Sequence, residues 1–184
     1  MIVAEGHRQI SEVGFARFSA REVAKRIGYS IGTLYNVFGS YDQLILAING
    51  RTLDLWRAHL EARIDRAQGD RLHCAIEAYF EFAFANRHAW TAVYDFHLPE
   101  DAEPPEEYRR KVMAIFDIVV AEIARSLPEN RRHEAAALAR SLLATVHGHC
   151  LFALSGTFDI LGEENAVAAA MARVCDAIGA QAAS

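Results

Sequence analysis

Cysteine and proline are scarce in this sequence, which has three and four of them in 184 residues. Cys74, Cys150 and Cys175 are far apart and form no CxxC pair, which argues against a disulfide framework and against a structural zinc site. We therefore expect them to be small core side chains. No apolar run reaches the length of a membrane span, and Met1 is not followed by a secretion signal, so a cytoplasmic protein without membrane contact is expected.

Apolar side chains make up 52% of the chain, chiefly Ala, Leu, Ile and Phe, and they predict an all-α fold. The net charge of −5 is unevenly spread. Residues 1–50 hold five Arg or Lys against four Asp or Glu, whereas the remainder holds fourteen against twenty. Because phosphate contacts depend on the local surface, the acidic total does not exclude DNA binding.

Helical periodicity predicts about nine helices. Gly14 is placed to end the first, and two capping boxes, Ser19 to Glu22 and Ser40 to Gln43, open the second and fourth. Acidic and proline residues predict a loop over 98–105. The expected helices cover 2–13, 19–28, 31–38, a long stretch from 41, one from about 70, 89–96, one from 105 to 128, 131–155 and 163–180.

The segment 20–37 has the spacing of a helix-turn-helix. Ala24 and Gly28 lie four residues apart, where two helices joined by a tight turn leave no room for large side chains. Four apolar positions are expected to bury the pair: Val23, Ile27, Leu34 and Val37. The second helix of such a motif lies in the major groove of DNA.

The same residues carry a family resemblance. Gly14-Phe15, the run SAREVAKRIGYS over 19–30, the run GTLYNVFGS over 32–40 and Leu44 resemble the N-terminal domain of TetR-family regulators. The resemblance implies a three-helix DNA-binding head joined by a long helix to a helical domain that holds a small-molecule effector and forms a homodimer through the last two helices, usually as a repressor. The implied domains are 1–45 and 46–184. Residues 146–148 are similar to a Trp-His-Gly type of C-terminal domain, with Val146 in place of tryptophan.

Carried onto matching positions, the resemblance places Thr33, Tyr35 and Asn36 at the DNA. Hydroxyl and amide groups can bond to base edges or phosphate. Ser30 and Gly32 would let the helix start approach the DNA backbone, and Arg21 is placed for a phosphate contact. Tyr41 stands where the family often has lysine, so a cation is lost but a phenol donor remains. The alternative is that Tyr35 packs on the first helix and Asn36 is merely solvated.

The distal half offers a weaker signal for an effector pocket. An apolar cavity with a few polar groups is the usual form of such a site. The candidate lining residues are Phe80, Phe84, Trp90, Tyr94, Phe116, His147 and Cys150. Each could instead be a core residue, and for His147 that alternative is a hydrogen bond to a neighbouring helix.

His147-Gly148-His149-Cys150 does not predict a metal site, because His149 points away from the helix face that His147 and Cys150 share. We expect neither a metal nor a cofactor. No nucleophile, base and orienting acid form a recognisable set, so an enzyme is not expected. Two alternatives to the regulator stay open, a helical protein-interaction module without DNA binding and an all-α enzyme.

Overall fold

The computed structural model describes residues 1–179 and contains ten α-helices and no strand in that range, which confirms the all-α prediction. Short 3₁₀ segments cover Phe15–Arg17 and Glu129–Glu134. The α-helices are α1 (Ile2–Val13), α2 (Ala20–Arg26), α3 (Ile31–Phe38), α4 (Tyr41–Asp65), α5 (Arg71–Ala85), α6 (Arg87–Asp95), α7 (Glu106–Ser126), α8 (Ala135–Ser155), α9 (Thr157–Leu161) and α10 (Ala166–Gly179).

The last two helices differ most from the prediction. The short helix α9 was not expected, and it lies between Gly156 and Gly162, both of which have positive φ angles. The final helix, predicted over 163–180, begins at Ala166, where Asn165 accepts a hydrogen bond from the Ala168 amide. Residue 180 lies outside the described residues.

The chain forms two compact units. The first contains Met1–Arg57 together with Asn86–Met113, and the second contains Ala58–Ala85 together with the chain from Ala114. Compactness does not tell which segment binds DNA and which binds an effector. The functional division into 1–45 and 46–184 therefore stays a prediction.

Two of the predicted helix ends are confirmed in detail. Gly14 follows α1 with a φ of 78°, and its N–H donates to the Ile10 carbonyl at 2.8 Å. The Ser40 hydroxyl accepts from the Gln43 N–H at 3.1 Å and so caps α4. These local signals suffice because a cap satisfies orphan backbone groups within one turn.

The capping box at α2 is only half right. The Ser19 hydroxyl accepts from the Glu22 N–H at 3.3 Å, as predicted. The Ser19 N–H, however, donates to the buried Gln9 side chain of α1 at 3.0 Å, and the Glu22 carboxylate pairs with Arg26. The Gln9 side chain of α1 thus accepts the hydrogen bond that the sequence predicted for the Glu22 carboxylate.

The backbone conformation at position 28 requires glycine. Crowding between the two helices was the reason predicted for this glycine, and that reason was wrong. Gly28 has a φ of 76°, and an added Cβ would meet nothing within 4 Å. The Gly28 N–H donates to Lys25 and the Tyr29 N–H donates to Ala24, the two bonds of a Schellman motif. Ala24, in contrast, is buried as expected.

Substitutions at Gly28 should therefore rank by their tolerance of the left-handed conformation. We expect Gly28→Ala to lower the free energy of unfolding by about 1 kcal/mol and Gly28→Asn to lower it less, because asparagine adopts this conformation more readily than alanine. Urea denaturation of the two variants checks the order. A steric requirement would give the opposite order, since asparagine is the larger side chain.

The core of the first unit is formed by side chains of α1, α2, α3, α4 and α6. Fully buried side chains include Ile10, Val23, Leu34, Leu44 and Ile48, with Ala92 of α6 in the same cluster. Val37, predicted to be buried, is instead 62% exposed. In an eight-residue helix whose buried face is centred on Leu34, the position three residues later lies at the rim of that face.

In the second unit, a nearly buried carboxylate ties α7 to α5. Glu122 is 3% exposed and accepts two hydrogen bonds from Arg71, both at 3.0 Å, and it also pairs with Arg125. Burial by itself raises the pKa of the Glu122 carboxyl, but these hydrogen bonds outweigh it and hold the pKa below its ordinary 4.5. The folded state therefore favours the charged form.

This lowered pKa makes stability depend on pH. The stabilisation from ionised Glu122 is complete above the unfolded value near 4.5 and is lost as the pH falls through the lower folded value. We expect the urea midpoint of the wild type to fall more steeply as the pH is lowered below 4.5 than that of Glu122→Gln, which has no carboxylate to protonate. Parallel pH profiles for the two proteins would contradict this assignment.

Helix α8 is the most apolar long element among residues 1–179. The stretch Glu129–Ser155 has the length and composition to cross a membrane, a property that packed helices share, and 28% of its most apolar window is buried. Cys150 of this helix is fully buried, as predicted. Cys74 is half-buried and Cys175 is exposed, so the expectation of a core cysteine is wrong for Cys175.

Candidate nucleic-acid interface

The start of α3 is built by Ser30. Its side chain accepts the Thr33 N–H at 3.1 Å and lies 3.0 Å from the Thr33 hydroxyl oxygen. Ser30 thereby caps the helix and holds Thr33, which is half-buried. Ser30 therefore stabilises the start of α3, a structural role that was not predicted for it.

The exposed face of α3 carries the predicted reading residues. Tyr35 is 38% exposed, and Asn36 is exposed as well. These exposures fit both DNA reading and the alternative in which Tyr35 packs on the first helix and Asn36 is solvated, so the role of the two residues stays a prediction. The structure leaves a phenol and an amide available to a ligand outside the chain.

Tyr41 lies beside this face at the start of α4. Its ring packs on Phe18, with centroids 6.2 Å apart, which orients the phenol. Burial raises the pKa of Tyr41, and the nearby Tyr35 phenol and Asp42 carboxylate add to the rise. Tyr41 is therefore a neutral hydrogen-bond donor at neutral pH.

Two of the basic residues in the head are occupied by internal ion pairs. Arg26 of α2 bridges Glu5 and Glu12 of α1, at 3.4 and 3.2 Å, and also contacts Glu22. Arg8 pairs with the same two α1 carboxylates. This network holds α1 against α2 and removes three of the four acids of residues 1–50 from the electrostatic balance.

This network leaves three cations of the head without an ion pair within residues 1–179, namely Arg17, Arg21 and Lys25, of which Arg17 donates a hydrogen bond to the Val13 carbonyl at 3.0 Å. Arg21 and Lys25 are exposed on α2, four residues apart and so on one helix face. Arg21 was predicted as a phosphate contact, whereas Lys25 was not. The helical spacing from Arg21 is the signal that could have identified Lys25.

Gly32 lies in the first turn of α3 and is exposed. An added Cβ would lie 3.5 Å from the Ser30 hydroxyl oxygen, an ordinary van der Waals contact, and its φ is not positive. Nothing inside the molecule therefore requires glycine here. A close approach of a binding partner to the start of α3 is a physical reason for glycine at this position.

The seven residues predicted for an effector pocket do not fall in one unit. Trp90 and Tyr94 belong to the first, where Trp90 also packs on Trp56. The other five belong to the second unit. Phe80 and the exposed Phe84 line one groove of the second unit, and Phe116 is half-buried on α7.

His147 and Cys150 have structural surroundings. The Tyr79 hydroxyl lies 2.8 Å from His147 Nδ1, which links α5 to α8, as in the alternative given for this histidine. Burial lowers the pKa of His147 and raises the pKa of the Cys150 thiol to about 12. Both side chains are thus neutral near pH 7. Among residues 1–179 no group of three His, Cys, Asp or Glu could hold a metal ion.

Comparison with protein families gives two matches that divide the chain. A model of bacterial regulatory proteins of the tetR family matches residues 2–48. A model of the tetracyclin repressor-like C-terminal domain matches residues 72–178, more than half of the chain. No curated protein matches the sequence.

Several solved structures share the fold along nearly the whole chain. A protein of unknown function from a Rhodococcus species has a TM-score of 0.72 at 21% identity, covering 94% of this chain and 88% of its own. The TetR family transcriptional regulator PfmR from Thermus thermophilus has a TM-score of 0.61 at 18% identity, covering 96% of both chains. The regulator FadR from Bacillus subtilis, solved in complex with stearoyl-CoA, has a TM-score of 0.60 at 15% identity, covering 97% of this chain and 96% of its own.

Proposed function

This chain belongs to the TetR family of bacterial regulatory proteins, and from that premise we propose that it is a dimeric repressor, released from a palindromic operator by a small-molecule effector. Membership of the family makes it a DNA-binding transcriptional regulator. The observation that carries the finer proposal is the uncovered face of α3, where Tyr35 and Asn36 are exposed.

The proposed reading surface consists of α3, Tyr41 and the available cations of α2. Asn36 and Thr33 supply hydrogen-bonding groups for base edges, and Tyr35 and Tyr41 donate to phosphate oxygens. Arg21 and Lys25 pair with phosphates, and Lys25 is added here to the residues expected from sequence. With so few cations, we expect a shallower salt dependence of binding than a more basic head would give.

Gly32 provides a test of how closely α3 approaches the DNA. We expect Gly32→Ala to leave the free energy of unfolding unchanged or raise it by up to about 1 kcal/mol, because alanine is the better helix former and the added methyl group has room. Operator affinity should fall roughly tenfold or more, because the methyl group would meet the DNA backbone. Chemical denaturation and gel-shift titration of the same preparation measure both effects, and undiminished affinity would contradict the close approach.

The proposed homodimer forms through α8 and α10. These two helices pack on each other, and Arg131 fixes their ends by donating to the Ile178 carbonyl at 3.0 Å. Apolar side chains remain exposed near the end of α8, including Leu151 and Phe152 at 45% and 43%. Exposed apolar surface of this kind is typical of a protein interface, and two heads about one helical turn of DNA apart read a palindrome that one head cannot.

The proposed effector is a small organic molecule held in the helical C-terminal domain. Support comes from the family assignment and from the B. subtilis relative that was solved with stearoyl-CoA. Release from the operator follows if the bound effector favours a head spacing that no longer fits successive major grooves. The residues predicted for this pocket stay predictions.

Selection of bound duplexes from a random DNA pool tests the proposal without assuming an operator sequence. We expect a palindrome with half-sites about one helical turn apart, bound by two chains as measured by light scattering. A single half-site bound by one chain would contradict the dimer. Failure to enrich any sequence would contradict operator binding and favour the interaction module.

A further inference from the structure

A cavity lies within the first unit, next to the end of α3. Its volume is about 490 Å³, within the range of small-molecule sites. None of the seven residues predicted for the effector pocket lines it. Its walls come from α1, α3, α4 and the start of α7, all of them in the first unit. The apolar lining residues are Val3, Val37, Phe38, Leu46, Ala47 and Pro105.

Both acids that line this cavity contact Lys111. Lys111 of α7 pairs with Asp54 of α4 at 2.5 Å and lies 3.7 Å from Glu107. The Lys111 stem packs against the backbone of Gly50, where an added Cβ would lie 3.4 Å from its Cδ. These contacts hold the ammonium group against the two carboxylates. The positive charges of Arg51 and Lys111 balance those of Asp54 and Glu107, so the lining carries no excess of acid that would recruit a cation.

The groups that remain are hydrogen-bond donors. Arg51 is exposed on α4 and lines the cavity, and within residues 1–179 it forms no ion pair. Tyr108 of α7 also lines it, and burial raises the pKa of its phenol to about 12. Tyr108 is thus protonated at neutral pH, and no hydrogen bond of its hydroxyl is found in the described part of the chain. A guanidinium and a phenol without partners beside an apolar wall are complementary to an anion.

We propose that this cavity binds a small carboxylate with an apolar body. The carboxylate accepts hydrogen bonds from Arg51 and Tyr108, while the body lies against Val37 and Phe38. Val37 is an apolar side chain that is exposed on α3, and contact with such a ligand would explain its exposure.

Occupancy of the cavity would act on DNA reading without passing through the C-terminal domain. Val37 and Phe38 directly follow Asn36 in α3, so a ligand packed on them restricts the position of the reading helix. This regulatory consequence rests on the proposed function. Binding of the carboxylate to the cavity does not rest on the proposed function, and it is therefore tested without DNA.

Three isosteric probes test whether the cavity prefers an anion, a neutral molecule or a cation. We expect saturable binding of 4-phenylbutyrate by calorimetry, and binding of 4-phenyl-1-butanol and 4-phenylbutylamine that is weaker by roughly tenfold or more, because only the carboxylate can accept charge-assisted hydrogen bonds. Equal binding of the amine, or no saturable binding of the carboxylate, would overturn the proposal.

Two variants locate the site. Arg51→Met should weaken 4-phenylbutyrate binding roughly tenfold or more, whereas Arg57→Met, an exposed arginine of the same helix that does not line the cavity, should leave it unchanged. Ala47→Phe should abolish binding by filling the space, and circular dichroism shows whether this variant folds. Unchanged affinity in Arg51→Met, or an equal loss in Arg57→Met, would overturn the assignment. Operator binding by the ligand-free protein is measured separately and bears only on the proposed function.

Discussion

Removal of both exposed reading side chains, Tyr35→Ala with Asn36→Ala, is expected to lower the affinity for the selected operator at least about a hundredfold. The amide of asparagine can make a bidentate contact with adenine, which is worth about 1–3 kcal/mol of discrimination, and the phenol adds a phosphate contact. Since both side chains are exposed, the loss should occur without unfolding. Gel-shift titration against the selected duplex measures it.

A matched control separates loss of contact from a general effect of the substitutions. Leu161 and Asn130 are an exposed leucine and an exposed asparagine outside both the reading surface and the predicted effector pocket. The variant Leu161→Ala with Asn130→Ala should retain operator affinity. Both double variants should keep the helical signal in circular dichroism and the native oligomeric state. Retained affinity after loss of Tyr35 and Asn36 would remove the recognition assignment.

Truncation of the residue that anchors the recognition helix is expected to have the largest effect on stability. Leu34 is 0% exposed at the centre of the buried face of α3. We expect Leu34→Ala to lower the free energy of unfolding by about 3 kcal/mol, because a leucine deleted from a packed core leaves a cavity. Operator affinity should fall as well, since α3 would lose its largest buried side chain in the core cluster that also contains Val23 and Leu44.

Val37 is the control on the same helix. Sequence spacing placed it in the core with Leu34, but 62% of its surface is exposed. Val37→Ala should therefore change the free energy of unfolding by no more than about 0.5 kcal/mol, as is usual for surface positions. Urea denaturation of the two variants measures the contrast. Comparable losses would show that Val37 is buried in solution and that the geometry described for α3 is wrong.

Several features of this protein were determined by the sequence alone. The bounds of α3, the capping of α2 and α4 by Ser19 and Ser40, and the end of α1 at Gly14 follow from local chemistry, because each satisfies backbone groups within a single turn. The family was likewise evident from the run of residues 14–44, and the match to residues 2–48 confirms it. Tyr35 and Asn36 of α3 are exposed, and their contact with DNA stays a prediction.

Other features were decided only by the tertiary structure, because they depend on partners distant in the chain. The Ser19 N–H is bound by Gln9 of α1 and not by Glu22, and Arg26 is committed to Glu5 and Glu12. Which cations stay available to DNA follows from those pairs and from no property of the residues themselves. The cavity beside Val37 likewise exists only because α7 returns to α4 in the first unit. Local backbone chemistry is written into the sequence, whereas the partner of each polar side chain is chosen by packing.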